Sequence, residues 1–302
     1  MVPAGHLDAL AEAGLYGLHG PGGVGAAAGR EAFEVLAGAC GVTFFVWVQH
    51  HAPVKLLMQS ANQSLRERYL AGLCSGRVRG GVAFAYLRRP GPPAVVARRV
   101  AGGYRIDGEA PWVTSWGLAQ VYAVAARLGD DVLFVLVDGS SPALRVSAPL
   151  RLAAMGASST VRLAFDGLLV PDDDVLSTVP LWQWQAEDRV ITAQPNPAAF
   201  GIAATCVRLL GDTPLAAELD GLRRRSYALA DSPEPDLAAL VKARGHSLEL
   251  AVRAATALVV STGGKAMSSD HPAQRLLREA AFFTIQAQTP AVRRATLDQL
   301  RR

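Results

Sequence analysis

The stretch that most limits what this chain can fold into is Gly80–Gly117, GGVAFAYLRRPGPPAVVARRVAGGYRIDGEAPWVTSWG. Aromatic and β-branched runs (Val82–Leu87, Val95–Val100, Tyr104–Ile106, Trp112–Thr114) alternate with Arg-Pro-Gly-Pro-Pro, Ala-Gly-Gly and Asp-Gly-Glu. That pattern reads as a pair of β-hairpins. Prolines and paired glycines at this spacing exclude a helix. Further strands are expected at Val121–Ala126, Val132–Val137, Leu144–Val146, Ser159–Phe165 and Leu168–Val170, with a turn at Asp138–Pro142. The middle of the chain is therefore β.

Both flanks are helical. Leu7–Gly14 is a short amphipathic helix closed by its glycine, Ala27–Cys40 carries Phe33, Leu36 and Ala37 on one face, and Leu65–Gly76 ends the N-terminal region. On the other side, Leu181–Leu210 is helical but interrupted by Pro195 and Pro197. Asp236–Thr262 places apolar residues at 237, 240, 241, 248, 251, 252, 255, 258 and 259, a stripe of helical period. His271–Ala287 reads as a further helix with Asp270 as N-cap and Pro272 in its first turn. The expected architecture is α+β and multidomain: an N-terminal helical domain (1–79), a middle β-barrel-like domain (80–178) and a C-terminal helical bundle (179–302).

Composition removes several function classes. Half of the residues are hydrophobic and 19% are charged, as in a folded chain, and the net charge of +4 comes from arginines scattered along the sequence, so no nucleic-acid surface is expected. Cys40, Cys74 and Cys206 show no CxxC spacing, which suggests neither a disulfide framework nor a zinc site and points to a reducing cytoplasm. The longest apolar runs, Val42–Val48 and Val132–Val137, are too short to span a bilayer, so no membrane partner is expected.

Three motifs invite chemistry and are read down. Gly20, Gly22 and Gly25 fit GxGxxG, but no convincing strand precedes them, no acid follows about 20 residues on, and no Lys-Ser/Thr follows; the bland reading is a turn between helices. His50 and His51 are adjacent, so on a helix they point about 100° apart and cannot face one metal; they read as polar lining or surface. Asp172–Asp174 reads as a solvated turn and not as a metal cluster. No metal site is expected.

The order of the remaining motifs resembles the acyl-CoA dehydrogenase family over nearly the whole chain. Gly-Gly-Tyr-x-(β)-x-Gly followed by Trp112-Val113-Thr114 is similar to that family's middle β-domain, and Leu65–Gly76 (LRERYLAGLCSG) is similar to its "ryLpgLasGe" segment. Met155-Gly156, Ser158–Thr160, Phe165-Asp166 and Val170-Pro171 follow in the family's order. The resemblance implies FAD between the β-domain and the bundle, with a carboxylate taking the α-proton of an acyl thioester while the β-hydrogen leaves as hydride. It implies Tyr86, Leu87, Trp112, Val113 and Thr114 at the flavin; for Trp112 and Thr114 the bland alternative is an ordinary strand with a buried Trp. It also implies Gly263, Gly264 and Thr289 near the cofactor's phosphates, the glycines from a neighbouring subunit.

Departures from the family pattern are specific. Its Thr-Glu-Pro-x-x-Gly-Ser motif falls on Leu87–Pro93, where hydrogen-bonding positions are lost, although Arg88 or Arg89 offers a guanidinium to a phosphate. Its catalytic Glu falls on Ala287, which takes no proton. Some branched-chain and long-chain members carry the carboxylate directly before an Arg on the first helix after the β-domain, which here is Asp188-Arg189, so Asp188 is the substitute candidate. The bland reading of Asp188 is an exposed acid paired to a neighbouring Arg. Three functions are expected: an FAD-dependent dehydrogenase acting on acyl-CoA or another acyl thioester in fatty acid or polyketide-type metabolism, working as a dimer or tetramer; a non-catalytic or site-completing subunit of a sister dehydrogenase; or a flavin-dependent monooxygenase.

Overall fold

The computed structural model describes residues 1–302. Two compact units make up the chain: one of Met1–Gly25, Phe45–Leu152 and Gly156–Gln185, the other of Ala26–Phe44, Ala153–Met155 and Ala186–Arg302.

The first unit carries helices α1 (Ala4–Glu12), α4 (His51–Gln59) and α5 (Gln63–Cys74), the C-terminal part of α3 (Gly41–Gln49), and all the strands. These are β1 (Gly80–Ala83), β2 (Val95–Val100), β3 (Gly103–Val113), β4 (Val121–Leu128), β5 (Asp131–Asp138), β6 (Leu144–Val146), β7 (Val161–Pro171) and β8 (Val175–Pro180). They form one sheet in the order β6-β7-β3-β2-β4-β5-β8, with β1 alongside β4 in parallel.

Strand β4, VYAVAARL, explains why one sheet holds two cores. Val121, Ala123 and Ala125 pack with Val54, Leu57, Leu65 and Leu73 of α4 and α5, whereas Tyr122, Val124 and Ala126 pack with Ile106, Ala110 and Leu163 of β3 and β7. Alternate side chains of a strand leave on opposite faces. A strand covered on both faces becomes apolar throughout, and residues 121–126 are all buried.

The second unit is helical, built on α9 (Leu237–Thr262). Against α9 pack α7 (Pro197–Leu210), α8 (Leu215–Ala230), α10 (Pro272–Phe283) and α11 (Pro290–Leu300), and α2 (Ala26–Ala39) packs on α7. α6 (Leu181–Ala193) leads in from the sheet. The close approach of α2 and α7 is made by glycines: a Cβ on Gly201 would overlap the Glu34 carbonyl, and one on Gly38 would lie 2.6 Å from the Gly201 carbonyl oxygen.

Several sequence expectations change here. Residues 82–100 do not form a hairpin: β1 stops at Ala83 and Ala85–Arg88 is a 3-10 turn. The Tyr86 ring is drawn into the core, where its hydroxyl donates to the carbonyls of Ala83 (2.8 Å) and Ala125, so the chain must curl to reach both. Asp107-Gly108-Glu109 is not a turn but a bulge inside β3. Gly108 has φ 129°, and a Cβ there would overlap the Ala94 carbonyl, which accepts from the Glu109 N–H at 3.0 Å. Ser159–Phe165 and Leu168–Val170 belong to one strand, β7, with Gly167 at φ 66° inside it, and β8 was not anticipated.

His271, not Asp270, caps α10: its Nδ1 accepts from the Ala273 N–H at 3.2 Å, and the helix ends at Phe283 rather than Ala287. His50 and His51 are not at the surface; they are 1% and 3% exposed. Residues 172–174 form a short 3-10 turn in which Asp172 pairs with Arg99 and Asp174 with Arg68.

Candidate functional site

The C-terminal end of β3 is a strained corner. Register slips between Ala110 and Val113; within the slip Trp112 (φ 64°), and just beyond it Ser115 (φ 69°), take left-handed conformations that side-chain-bearing residues avoid, as does Ser159 (φ 52°) just before β7. Hydrogen bonds hold the corner closed. The Ser115 N–H donates to the Ser158 carbonyl (3.0 Å), the Trp116 N–H to the Ser159 carbonyl (3.1 Å), and Ser159 Oγ back to the Trp116 carbonyl (2.7 Å). Inside, the Thr114 and Thr160 hydroxyls share a hydrogen bond at 3.1 Å, and Ser158 Oγ joins Thr160 at 2.7 Å. Strain of about 1–3 kcal/mol per residue persists only where surroundings over-determine the backbone.

That geometry separates neighbours which a regular strand would only alternate. Val113 is fully buried and Thr114 nearly so, while Trp112 is 51% exposed. The reading of Trp112 as an ordinary buried strand residue is therefore corrected: it is an aromatic face held out on rigid backbone. An indole held out in this way offers a fixed planar surface on which an aromatic ring system can stack. The Thr114 hydroxyl is already engaged by Thr160.

Tyr86 packs into the same core as Val113, with Leu87 at its margin. Burial pushes the Tyr86 phenol up, out of reach of any physiological ionisation. It is an anchor for the 3-10 turn rather than a proton donor.

The helical unit carries the other predicted positions. Asp188 lies in α6 and is 8% exposed, so it is a buried acid, not an exposed one. Gly263, at φ 68°, ends α9; it and Gly264 are exposed, and a Cβ on either would meet nothing within 4 Å. Thr289 caps α11, its Oγ1 accepting from the Val292 N–H at 3.3 Å, and α11 packs on α9. Ala287, the position on which the resemblance places a carboxylate, has φ 51°.

Two buried titratable clusters went unread in the sequence. In the helical unit, Glu279 of α10 is 4% exposed, accepts from the Gly41 N–H at 3.1 Å and from Arg275 Nη1 at 2.6 Å, and is raised by burial to about 7 against the pull of that guanidinium. Its signal was legible: an acid set among Ala273, Leu276, Ala280 and Phe283 on the apolar face of one helix. In the sheet unit, the rings of Tyr16 and His50 (4.6 Å), Trp47 and His51 (4.5 Å), and His19 and His51 (4.9 Å) meet edge to face. His50 Nδ1 accepts from the Gly80 N–H at 3.0 Å. Burial, then the neighbouring Arg79 charge, holds His50 down to about 3; burial with the Lys55 charge holds His19 down to about 4.

No three or more His, Cys, Asp or Glu side chains are arranged to hold a metal ion, and no helix is long and apolar enough to cross a membrane.

No family model matches the sequence. Individual relatives do. A benzylmalonyl-CoA dehydrogenase of Aromatoleum aromaticum is 28% identical, over 91% of this chain and 84% of its own length. Among solved structures, the butyryl-CoA dehydrogenase of Megasphaera elsdenii superposes with a TM-score of 0.79 at 18% identity, covering 98% of this chain and 89% of that one. A glutaryl-CoA dehydrogenase of Mycobacterium smegmatis, solved in complex with FADH2, gives 0.79 at 16% identity, over 99% and 86%. The solved structures share this chain's fold, and the curated relatives to which its sequence is similar, at 28% identity and below, are acyl-CoA dehydrogenases.

Proposed function

We propose that the chain is an FAD-dependent oxidoreductase that introduces an α,β double bond into an acyl thioester, its parts being residues 1–79, 80–178 and 179–302. The single observation that carries this reading is Trp112, half exposed on a backbone locked at φ 64° by the hydrogen bonds between residues 114–116 and 158–160. Strain of that kind gathers at functional sites. Tyr86, Leu87, Val113 and Thr114 would complete the flavin's surroundings in the sheet unit, and Gly263, Gly264 and Thr289 would approach its phosphates in an oligomer of two or four chains in the cytoplasm.

When bound, the flavin supplies the hydride acceptor. The protein's part is to position the thioester and to remove its α-proton, which requires a desolvated base within hydrogen-bond reach. Asp188, buried in α6, is the proposed base.

A second reading rests on Ala287: with no carboxylate at the usual position, the chain would act as a site-completing subunit beside a sister dehydrogenase. The visible absorption spectrum of the purified protein separates the two, together with addition of acyl-CoA. Flavin bands between ~350 and 500 nm that bleach with acyl-CoA in the wild type and persist in Asp188→Asn support the enzyme. A colourless protein that takes up no added FAD leaves the subunit reading.

A further inference from the structure

The corner between α6 and α7 reads Ala193-Gln194-Pro195-Asn196-Pro197. A helix ends with carbonyls that have no partner inside it, and the usual remedy is a backbone N–H from the residues that follow. Pro195 stands first in line and has none. The Asn196 side chain serves the next helix, its Oδ1 accepting from the Ala198 N–H at 3.1 Å to cap α7. What the end of α6 receives comes from a distant part of the chain: Arg244 Nη1, in α9, donates to the Gln194 carbonyl at 2.8 Å.

Arg244 is 5% exposed, and a guanidinium at that depth is costly unless it is hydrogen-bonded. Its own base is firm. Ser247 Oγ donates to the Arg244 carbonyl at 2.9 Å, and the neighbouring Gly245 lies so close to α11 that a Cβ there would stand 2.7 Å from the Ala295 carbonyl carbon. α6 has no such support. Within the helical unit no helix packs closely along it, and beyond Ala186 only Asp188, Thr192 and Ala193 are buried, the rest being exposed. Asp188 and Thr192 stand one turn apart on the same face, and Thr192 Oγ1 donates to the Asp188 carbonyl at 2.7 Å. The tethered Gln194 carbonyl lies about 9 Å further along the axis than Asp188, at 1.5 Å per residue.

We propose that Arg244 is a positioning residue for Asp188: by holding the Gln194 carbonyl it fixes the last turns of α6, and with them the carboxylate. The inference rests on the reading of Asp188 as the base. A reacting group misplaced by about 1 Å costs roughly 10²-fold in rate, so loss of the tether should slow removal of the α-proton while the thioester still binds.

Arg244→Met keeps the length and the apolar stem but has no donor. In the chain without flavin, hydrogen exchange read by mass spectrometry should show the amides of residues 188–194 exchanging roughly tenfold faster than in wild type, with those of α10 unchanged. In the FAD-loaded chain, bleaching is followed with the acyl-CoA that bleaches wild type fastest among a panel of straight and branched chains. Its rate at saturation should fall roughly tenfold or more, while the concentration giving half-saturation stays within about twofold. Arg244→Lys, which restores a donor without the fork, should recover part of both losses. Exchange unchanged in Arg244→Met, or faster exchange with an unchanged bleaching rate, overturns the proposal. Should Arg244→Met fail to fold, Arg244→Lys carries the test, and wild-type values in both measurements overturn it. A wild-type chain that holds FAD but bleaches with no acyl-CoA overturns the dehydrogenase reading and this proposal with it, a result told apart from the others because it appears before any variant is made.

Discussion

Lowering the pH should weaken the sheet unit through His50, and the size of the effect follows from burial. His50 is 1% exposed and holds its proton only below about 3, against an ordinary value of 6.5. A base depressed in the folded state leaves stability intact above pH 6.5. Below that, the unfolded chain binds a proton that the folded one refuses, and stability is lost progressively down to the folded value. At roughly pH 5 the gap is about 1.5 pH units, or about 2 kcal/mol for this one side chain. Facing it are Tyr16, His51 and Arg79, the last paired with Asp8 at 2.5 Å, and none of these supplies a negative charge close enough to restore the proton's affinity.

The variant His50→Asn isolates the term. Asparagine puts an acceptor where Nδ1 meets the Gly80 N–H and does not titrate. Truncation costs a pH-independent amount, so the readout is the slope and not the absolute stability. Urea unfolding followed by tryptophan fluorescence, in steps from about pH 7.5 to about pH 5, should show wild type losing about 2 kcal/mol more than the variant over that range. Glu279 works in the opposite sense, because its carboxyl is raised from 4.5 to about 7 and its contribution is present below 4.5 and lost as pH rises through 7; it cancels in the comparison. Parallel pH profiles for wild type and His50→Asn would refute the reasoning.

Other expectations follow from single contacts. Trp112→Asn should abolish flavin absorbance yet leave stability unchanged or higher by up to about 1 kcal/mol, since asparagine tolerates φ 64° and the indole is half exposed; a loss of about 3 kcal/mol in thermal unfolding would return Trp112 to the core. Gly201→Ala drives a methyl into the Glu34 carbonyl and should cost about 3 kcal/mol in urea unfolding by separating α2 from α7. Gly41→Ala places a Cβ 2.7 Å from the Glu279 carboxyl carbon and should cost about 1–3 kcal/mol. Asp188→Asn should slow flavin bleaching by acyl-CoA by roughly 10²-fold or more with an unchanged far-UV circular dichroism spectrum, whereas an unchanged rate would free Asp188 from the base's role.

What the sequence made legible, and what it hid, divides by the range of the interactions that decide each feature. β4 and β5 announce themselves in VYAVAARL and DVLFVLVD as continuous apolar runs, buried on both faces, and α9 in its apolar stripe of helical period. Asp107-Gly108-Glu109 carries the same residues whether it turns a hairpin or bulges a strand; the Ala94 carbonyl beside it decides, and that atom is fixed by pairing between β2 and β3. For His50 and His51 the sequence leaves polar lining or surface open, because periodicity sees only the local helix and nothing there records that Tyr16 lies across the ring of His50 and His19 across that of His51. The family resemblance singles out Trp112, but its exposure accompanies a slip of register against β7 that no local signal encodes. Regular pattern is least informative where pairing is irregular, as at the register slip beside Trp112. The motifs that resemble the acyl-CoA dehydrogenases lie mainly on strands and helices, which answer to burial along their whole length, whereas Leu87–Pro93, where the resemblance fails, runs through the end of a 3-10 turn and a proline-rich loop.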